Sequence, residues 1–461
     1  MRAAGWTWCL LLSTACGGGG LIPDAGDGPS PIQDDAAVPD AEPGCDAPAG
    51  PTMHTSGGVQ ADETWTAAGR PHIVRGDLTV YATLTLEPCA EVLLAGASTV
   101  TVRGALVAEG TAARPIRIAA ADPEAPFSQI RTVLGTIRLA HTSVEDGGAP
   151  LNTLPELTGT FDLQGADQTA PTQGTLFVDH VAVRRSRSNG IVLRDGAGFA
   201  DGSTDLTITE AAEFPISLWA RAVGTVPSGS YTGNAIDEIA IPGGGGAQAI
   251  SESTTMHARG VPYRIGIAST FGDVRVERQP GVSGVSTLTI EPGTTLRFKR
   301  GGRLMIQTFV GDSPATGALV AVGTAEAPIV FTSAEETPAP GDWLGIWFGL
   351  VPDPGNRIQH ARIEYAGALS GSGSGACSLP DGGILSAAIR IFGLPASVFI
   401  TDTEIVSSGR HGIDRGWRAA ADPAAYDFLP TNTFRDVGAG GCQQTYPGVT
   451  AMRCPMPVPC P

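Results

Sequence analysis

The chain has 461 residues, of which 62 are glycine, 36 are proline and 6% are aromatic, and its formal net charge is −17. Glycine and proline at this frequency are typical of many short strands joined by tight turns, and they exclude a helical bundle. An acidic surface repels phosphate backbones, so no nucleic-acid partner is predicted.

The N-terminus has the pattern of a bacterial export signal. A basic residue precedes an apolar stretch that is too short to span a bilayer, and small residues follow. Cys16 stands where a bacterial lipoprotein signal places its lipidated cysteine, and residues 11–16 resemble a lipobox in which Ser13 replaces the usual leucine. We therefore predict a signal peptide over 1–15 and a lipid anchor on Cys16. The alternative is an ordinary signal peptide cut nearby, which would leave Cys16 as a free thiol.

Residues 16–50 are predicted to form a disordered tether. Acidic residues and prolines are interleaved in this segment, which has too little apolar surface to offset the entropy lost on ordering. No acidic residue directly follows Cys16, and in lipoproteins of this type that favours the outer membrane over the inner one. The resemblance implies a Gram-negative outer-membrane or cell-surface location, with the membrane as a partner through the lipid anchor.

The rest of the chain contains the same pattern twice. The stretch LTLEPCAEVLL that begins at Leu84 returns as LTIEPGTTLRF at Leu288, and the strands and turns around it recur in the same order. The strands are short and alternate between apolar and polar residues, which gives each one buried face and one solvated face. We predict an all-β solenoid with a first unit over 51–250, a second unit over 251–440 and a Cys- and Pro-rich tail over 441–461.

At these residues the chain resembles a known family. The segments TIEPGTTLRF, GALVAVGTAEAPIVFTS, GDWLGIWF and RIEYAG are similar to those of bacterial right-handed parallel β-helix repeat proteins, which are surface or secreted proteins and often lipoproteins. The resemblance covers roughly residues 60–440 and implies a right-handed parallel β-helix. The first unit departs from the pattern, because Cys89 replaces the glycine seen at Gly293 and no tryptophan-containing coil matches the one around Trp343.

The cysteines after Cys16 predict disulfides, because an even number in an exported chain is typical of paired thiols. Sequence alone does not fix their connectivity. Our pairing hypothesis joins them as Cys45–Cys89, Cys377–Cys442 and Cys454–Cys460. No two of them form a CxxC pair, so no zinc site is predicted among them.

The duplicated motif His-x-x-x-Glu is the sharpest candidate site. It occurs as His141/Glu145 and again as His360/Glu364, and residues four apart on a strand share a face. If the first and third residues between them point inward, both His and Glu point outward, where they could bind a metal or a sugar. The alternative is a solvated pair that recurs because the framework was duplicated. Metal sites need three or four ligands and no third is found, so no metal site is predicted.

Further polar and aromatic residues are candidates for contact with carbohydrate. A polar group around Asp179 and Arg184 matches one in the second unit that contains Arg410 and His411, and these could form either a carbohydrate-binding strip or solvated turns. Trp343 and Trp347, four residues apart, pack in a core or cap, or else form a platform on which a sugar stacks.

These features predict a surface lipoprotein that acts by display. Its rigid β-helix would offer an extended face to polysaccharides or surface proteins, or would serve as an envelope structure. The alternative is a polysaccharide lyase or glycoside hydrolase on the same fold, with catalytic candidates among His141, Glu145, His360, Glu364 and Asp179. No cofactor is predicted; the acidic charge is compatible with Ca²⁺, but the regular glycine- and aspartate-bearing repeat of Ca²⁺ β-rolls is missing.

Overall fold

The computed structural model describes residues 44–150, 158–166, 173–243, 249–267, 272–279, 281–307, 316–349, 351–369, 386–417, 426–438 and 441–445. Pro43–Pro461 forms one compact unit. The predicted signal peptide, the lipidation site Cys16, nearly all of the tether, and Cys377, Cys454 and Cys460 lie outside the described residues. Within them the fold is the predicted right-handed parallel β-helix.

Each coil carries up to three short strands, and each strand pairs in parallel with the strand one coil away. In β5 (Glu91–Leu94) and β6 (Thr99–Val102) every second residue is buried. This alternation arises because successive side chains on a strand point to opposite faces of the sheet. The inward side chains of successive coils stack into one hydrophobic core, which extends from Val59 to Phe428.

In the first unit the strands form three faces, numbered here in the order in which the chain visits them. Four strands turn a corner and contribute to two faces: β1 (Thr52–Val59) and β3 (His72–Val80) to faces 1 and 2, and β10 (Thr136–Glu145) and β12 (Gln173–Arg184) to faces 3 and 1. Face 1 also contains β5, β8 (Ile116–Ala120), β15 (Thr204–Thr209) and β17 (Gly229–Ser230). Face 2 also contains β6, β9 (Gln129–Val133), β11 (Gly159–Gln164), β13 (Asn189–Arg194), β16 (Ile216–Leu218) and β18 (Ile239–Ile241). Face 3 also contains β2 (Glu63–Trp65), β4 (Thr83–Leu86), β7 (Ala105–Glu109), β14 (Ala197–Phe199) and the 3₁₀ turn Ala220–Thr225.

The second unit repeats this order of faces, and each of its strands takes the face number of the first-unit strand that it matches in sequence. Its face 1 contains β21 (Tyr263–Ile265), β24 (Thr295–Phe298), β27 (Ile329–Ser333), β30 (Ala361–Glu364), β33 (Glu404–Val406) and β35 (Thr433–Arg435). Face 2 contains β19 (Ala249–Ile250), β22 (Asp273–Val276), β25 (Arg303–Ile306), β28 (Gly345–Phe348), β31 (Ala387–Ile391) and β34 (His411–Arg415). Face 3 contains β20 (Thr254–Met256), β23 (Ser286–Ile290), β26 (Gly317–Val322), β29 (Arg357–Gln359) and β32 (Ile400–Thr401).

The two units are not stacked with corresponding faces in line. Strand β18, on face 2 of the first unit, pairs with β21, on face 1 of the second unit, through Ile239 and Tyr263. Within the described residues, face 1 of the first unit ends at β17 and face 2 of the second unit begins at β19. Face 2 of the first unit and face 1 of the second unit therefore belong to one continuous sheet, so strands that correspond in sequence stand in different columns in the two units.

The predicted disulfide between Cys45 and Cys89 is confirmed, and it ties the segment before β1 to the turn after β4. Cys442 is also disulfide-bonded, while its predicted partner Cys377 lies outside the described residues. The Cys45–Cys89 bond and Cys442 lie near opposite ends of the part of the β-helix that the structure describes. There they can restrain the terminal coils, which have a neighbour on one side only.

Candidate functional site

A row of polar side chains follows the corner between faces 3 and 1 of the first unit. His141, His180 and Asp205 occupy this corner in three successive coils, with φ angles of 41°, 52° and 50°. The strand register places His180 opposite His141 on one side and opposite Asp205 on the other. Left-handed backbone is most accessible to glycine, asparagine, aspartate and histidine, which accounts for the residue types at this corner.

Asp179, His180 and Asp205, with His141 stacked beside them, form what we term the corner cluster. Nδ1 of His180 lies 2.6 Å from Oδ1 of Asp179, and Nε2 lies 3.5 Å from Oδ2 of Asp205. The His141 and His180 rings stack with centroids 4.6 Å apart. One ligand atom from each of Asp179, His180 and Asp205 lies within 4.8 Å of the other two. This brings together three residues, two aspartates and a histidine, whose side chains can bind metals.

The equivalent corner of the second unit is different. His360 and Asp402 correspond to His141 and His180, and they have similar φ angles of 46° and 50°. Nε2 of Gln359 donates a hydrogen bond to Asp402 at 3.1 Å. Thr401 stands where the first unit has Asp179. The duplication therefore preserved the backbone conformation of the corner but not the set of side chains that could bind a metal.

Glu145 and His141 take part in different clusters. Glu145 lies on face 1, where its carboxylate approaches Arg117 at 3.2 Å, Arg184 at 3.5 Å and Arg185 at 3.0 Å. His141 stacks on His180 at the corner. Thr142 and Val144, the residues at the first and third positions between them, are buried as expected. The carboxylate of the first His-x-x-x-Glu motif thus belongs to a ladder of ion pairs along the face.

The second motif has the same organisation. Glu364 accepts a hydrogen bond from Oγ1 of Thr332 at 2.9 Å and pairs with Arg362. Arg362 also contacts Glu404, on the next coil, at 3.0 Å. Carboxylates and guanidinium groups that alternate from coil to coil stabilise the stacking of parallel strands, because opposite charges meet across the ladder. Glu364 therefore has a framework role.

An ion pair on a buried carboxylate secures the corner between faces 1 and 2. The side chain of Asp146 is 2% exposed and receives hydrogen bonds from Nε and Nη2 of Arg185 at 2.7 and 3.0 Å. These hydrogen bonds raise the pKa of Arg185 above its ordinary value. Such bidentate contacts are the strong form of the Arg–carboxylate pair.

The two tryptophans proposed for sugar stacking are buried. Trp343 is fully inaccessible, stacks on Phe298 with ring centroids 4.1 Å apart, and donates a hydrogen bond from Nε1 to the Glu364 carbonyl. Trp347 is 1% exposed and lies under the guanidinium groups of Arg303 and Arg390. Neither ring face is open to a sugar, which fits the packing alternative for this pair.

His411 is buried as well, at the start of β34. Its Nδ1 accepts a hydrogen bond from the backbone N–H of Cys442 at 2.9 Å. Burial, followed by the nearby charges of Arg410 and Arg390, lowers the pKa of His411 to about 4. On the same strand burial raises the pKa of Asp414, whose carboxylate lies 3.4 Å from Nε of Arg390. His411 is thus a neutral packing residue at pH 7 and not a surface contact for carbohydrate.

A polar pocket lies where the two units meet. It has a volume of about 150 Å³ and is formed by the 3₁₀ turn of the first unit and the chain from β19 to β20 of the second. Its polar lining consists of Arg221, Thr225, Ser251, Glu252, Ser253 and Thr254. Nη2 of Arg221 donates to Oγ of Ser251 at 3.2 Å, which holds the guanidinium group at the pocket wall.

Sequence reasoning missed both the pocket and the full corner cluster. Asp205 carries no motif that distinguishes it from other turn aspartates, and it meets His180 only because one coil lies directly above another. The pocket is formed by two segments, 221–225 and 250–254, and the duplicated sequence gives no signal that they meet.

Comparisons with known proteins do not assign the chain to a family. The described part of the chain contains no helix with the length and hydrophobicity of a membrane span. No protein-family model matches the chain, and neither does any curated protein or solved structure compared with it.

Proposed function

We propose that this protein is an outer-membrane lipoprotein of the bacterial β-helix repeat type, and that its body displays a binding site for glycans at the cell surface. The observation that carries the proposal is the polar pocket at the junction of the two units. Ligand sites in proteins are concave and use a few well-placed polar groups to fix orientation. A guanidinium group, a carboxylate and several hydroxyl groups around one pocket are suited to the hydroxyl and carboxylate groups of a sugar.

The size of the pocket limits the ligand. A volume of about 150 Å³ corresponds to a terminal sugar or a single ring of a longer chain and is too small for an extended oligosaccharide. Arg221 gives the pocket a fixed positive group, so an acidic sugar such as a uronic acid is the preferred class.

The paired charges of face 1 and the continuous core support a display role. The outward charges of face 1 are largely paired with each other, as in the ladder from Glu91 through Arg117 to Glu145. Parallel strands linked in this way, over a continuous core, make a rigid support that holds a pocket without large movements. Attachment to the membrane rests on the sequence of residues 1–50 alone.

The test is a binding and turnover assay on the full-length chain. The protein would be titrated calorimetrically with uronic acids and with acidic and neutral polysaccharides, while released reducing or unsaturated ends are followed. We expect saturable binding of an acidic sugar that weakens at least tenfold in Arg221→Ala. Arg138→Ala is the matched control, because Arg138 is an exposed arginine that contacts Glu109 and the Phe177 ring and does not line the pocket.

Three results would contradict the proposal. Equal loss of binding in both arginine variants would mean that net charge and not the pocket attracts the ligand. Release of sugar ends would identify the enzymatic alternative, a lyase or hydrolase. No binding across the panel would remove the glycan role, and far-UV circular dichroism of Arg221→Ala would separate lost binding from lost folding.

A further inference from the structure

The charge arrangement of the corner cluster differs from that of the carboxylates that pair with arginine. Asp146, Asp162 and Glu145 each have an arginine partner within 3.2 Å. Within the described residues, Asp179 and Asp205 have no arginine or lysine partner, and both carboxylates are directed at the same imidazole. Two carboxylates therefore converge on one imidazole ring.

The hydrogen bond to Asp179 fixes the proton on the His180 ring. An ionised carboxylate only accepts hydrogen bonds, so at 2.6 Å Nδ1 of His180 is the donor. With Nδ1 occupied by Asp179, Nε2 is the ring nitrogen that can bind a metal, and it faces Oδ2 of Asp205.

The separation of the two donors suits a metal ion. Nε2 of His180 and Oδ2 of Asp205 are 3.5 Å apart, longer than a good hydrogen bond. Metal–nitrogen and metal–oxygen bonds to zinc are about 2.0–2.2 Å long, so two ligands at a tetrahedral angle are separated by about 3.4 Å. A histidine that binds a metal usually donates its other ring N–H to a carboxylate, and Asp179 occupies that position.

We propose that the corner cluster binds a divalent transition-metal ion of the zinc class, with Nε2 of His180 and the Asp205 carboxylate as ligands. Asp179 is a positioning residue that fixes the tautomer and orientation of His180. His141 supports the ring from the other side by stacking at 4.6 Å. An imidazole nitrogen in the donor set favours zinc, cobalt, nickel or copper over calcium and magnesium, which prefer oxygen ligands.

The exposure of the cluster determines what completes the coordination sphere. The side chains of His180 and Asp205 are 56% and 53% exposed, so water or an oxygen atom of a ligand can occupy the remaining positions. The inference is independent of the glycan proposal, because the corner cluster and the junction pocket are formed by different residues.

The test is titration of the full-length chain with Zn²⁺ by calorimetry and with Co²⁺ by visible absorption. We expect His180→Asn to abolish saturable binding at this site and Asp205→Asn to weaken it at least tenfold. Asp179→Asn should weaken it by about ten- to a hundredfold, the usual effect of losing a carboxylate behind a ligating histidine. Asparagine tolerates the left-handed backbone of this corner, so the fold should survive.

The second unit provides the matched controls. His360→Asn and Asp402→Asn change the equivalent corner, which has the same backbone but a different donor set, and they should leave Zn²⁺ affinity unchanged. The proposal would be overturned by a wild-type chain that shows no saturable Zn²⁺ binding. It would also fail if His180→Asn, shown to be folded by circular dichroism, bound as tightly and with the same stoichiometry as the wild type.

Discussion

His411 makes the stability of the C-terminal coils depend on pH. Its ring is buried, and its pKa falls from an ordinary value of 6.5 to about 4. In the unfolded chain the ring takes up a proton near pH 6.5, whereas in the folded chain it resists protonation until about pH 4. The unfolded state therefore binds more protons between these values, so stability decreases as the pH falls through this window and not above it.

The size of the effect follows from the pKa difference. At about 1.4 kcal/mol for each pH unit, the change from 6.5 to about 4 corresponds to a loss of about 3 kcal/mol between pH 7 and pH 4. The test variant is His411→Asn, because the asparagine Oδ1 can replace Nδ1 as acceptor for the Cys442 N–H but does not titrate. Carboxylates that protonate in the same pH range are present in both proteins, so their contribution to the change in stability cancels in the comparison.

Hydrogen exchange is the appropriate measurement, because each coil contacts only its neighbours and opens locally. Exchange of peptides that cover β34 would be compared at pH 7 and pH 4 in both proteins. We expect the wild type to lose about 3 kcal/mol more local stability than His411→Asn. Parallel losses in the two proteins would refute the reasoning, since they would mean that the His411 ring titrates alike when folded and unfolded.

Three further predictions concern stability and processing. Asp146→Asn should cost about 1–3 kcal/mol in urea unfolding because the charge-assisted bonds from Arg185 are lost. Glu109→Ala, which removes the exposed ion pair with Arg138, should change the free energy of unfolding by less than about 1 kcal/mol, and equal effects of the two variants would contradict the role of burial. Ile346→Ala removes a fully buried core side chain and should cost about 2–5 kcal/mol, and a smaller loss by the same measurement would mean that the coil repacks. Cys16→Ser should abolish a diacylglyceryl modification seen by mass spectrometry of the mature N-terminus, and a wild-type chain without that mass would favour the ordinary signal peptide.

The β-helix was predictable because its signals are local. Alternating residues, as in the strands that begin at Leu84 and Leu288, specify a buried and a solvated face for each strand. Repetition of the same strands and turns then specifies stacking. The outward position of Glu145 and the inward position of Thr142 followed from the same alternation. The Cys45–Cys89 bond was one of several pairings that the sequence left open, and the structure decided it.

The sites depended on contacts between coils, which the sequence does not specify. Asp205 meets His180 because the number of residues in one coil places the corner of one coil directly above the corner of the coil before it. The length of the turns in a coil can vary without any change in the pattern of the strands. The burial of Trp343 and His411 likewise depends on what packs over each face. For these residues the sequence shows which side-chain groups are present but not which residues pack against them.

The sequence by itself determined that the chain folds as two similar runs of parallel coils, because a period of two along each strand and a long repeat are properties of the chain alone. Only the tertiary structure decided how the runs join. Strand β18 pairs with β21, so face 2 of the first unit continues into face 1 of the second, and the pocket beside Arg221 lies where the two units meet. Register between distant segments is fixed by packing and hydrogen bonding in three dimensions, and it cannot be read from either repeat separately.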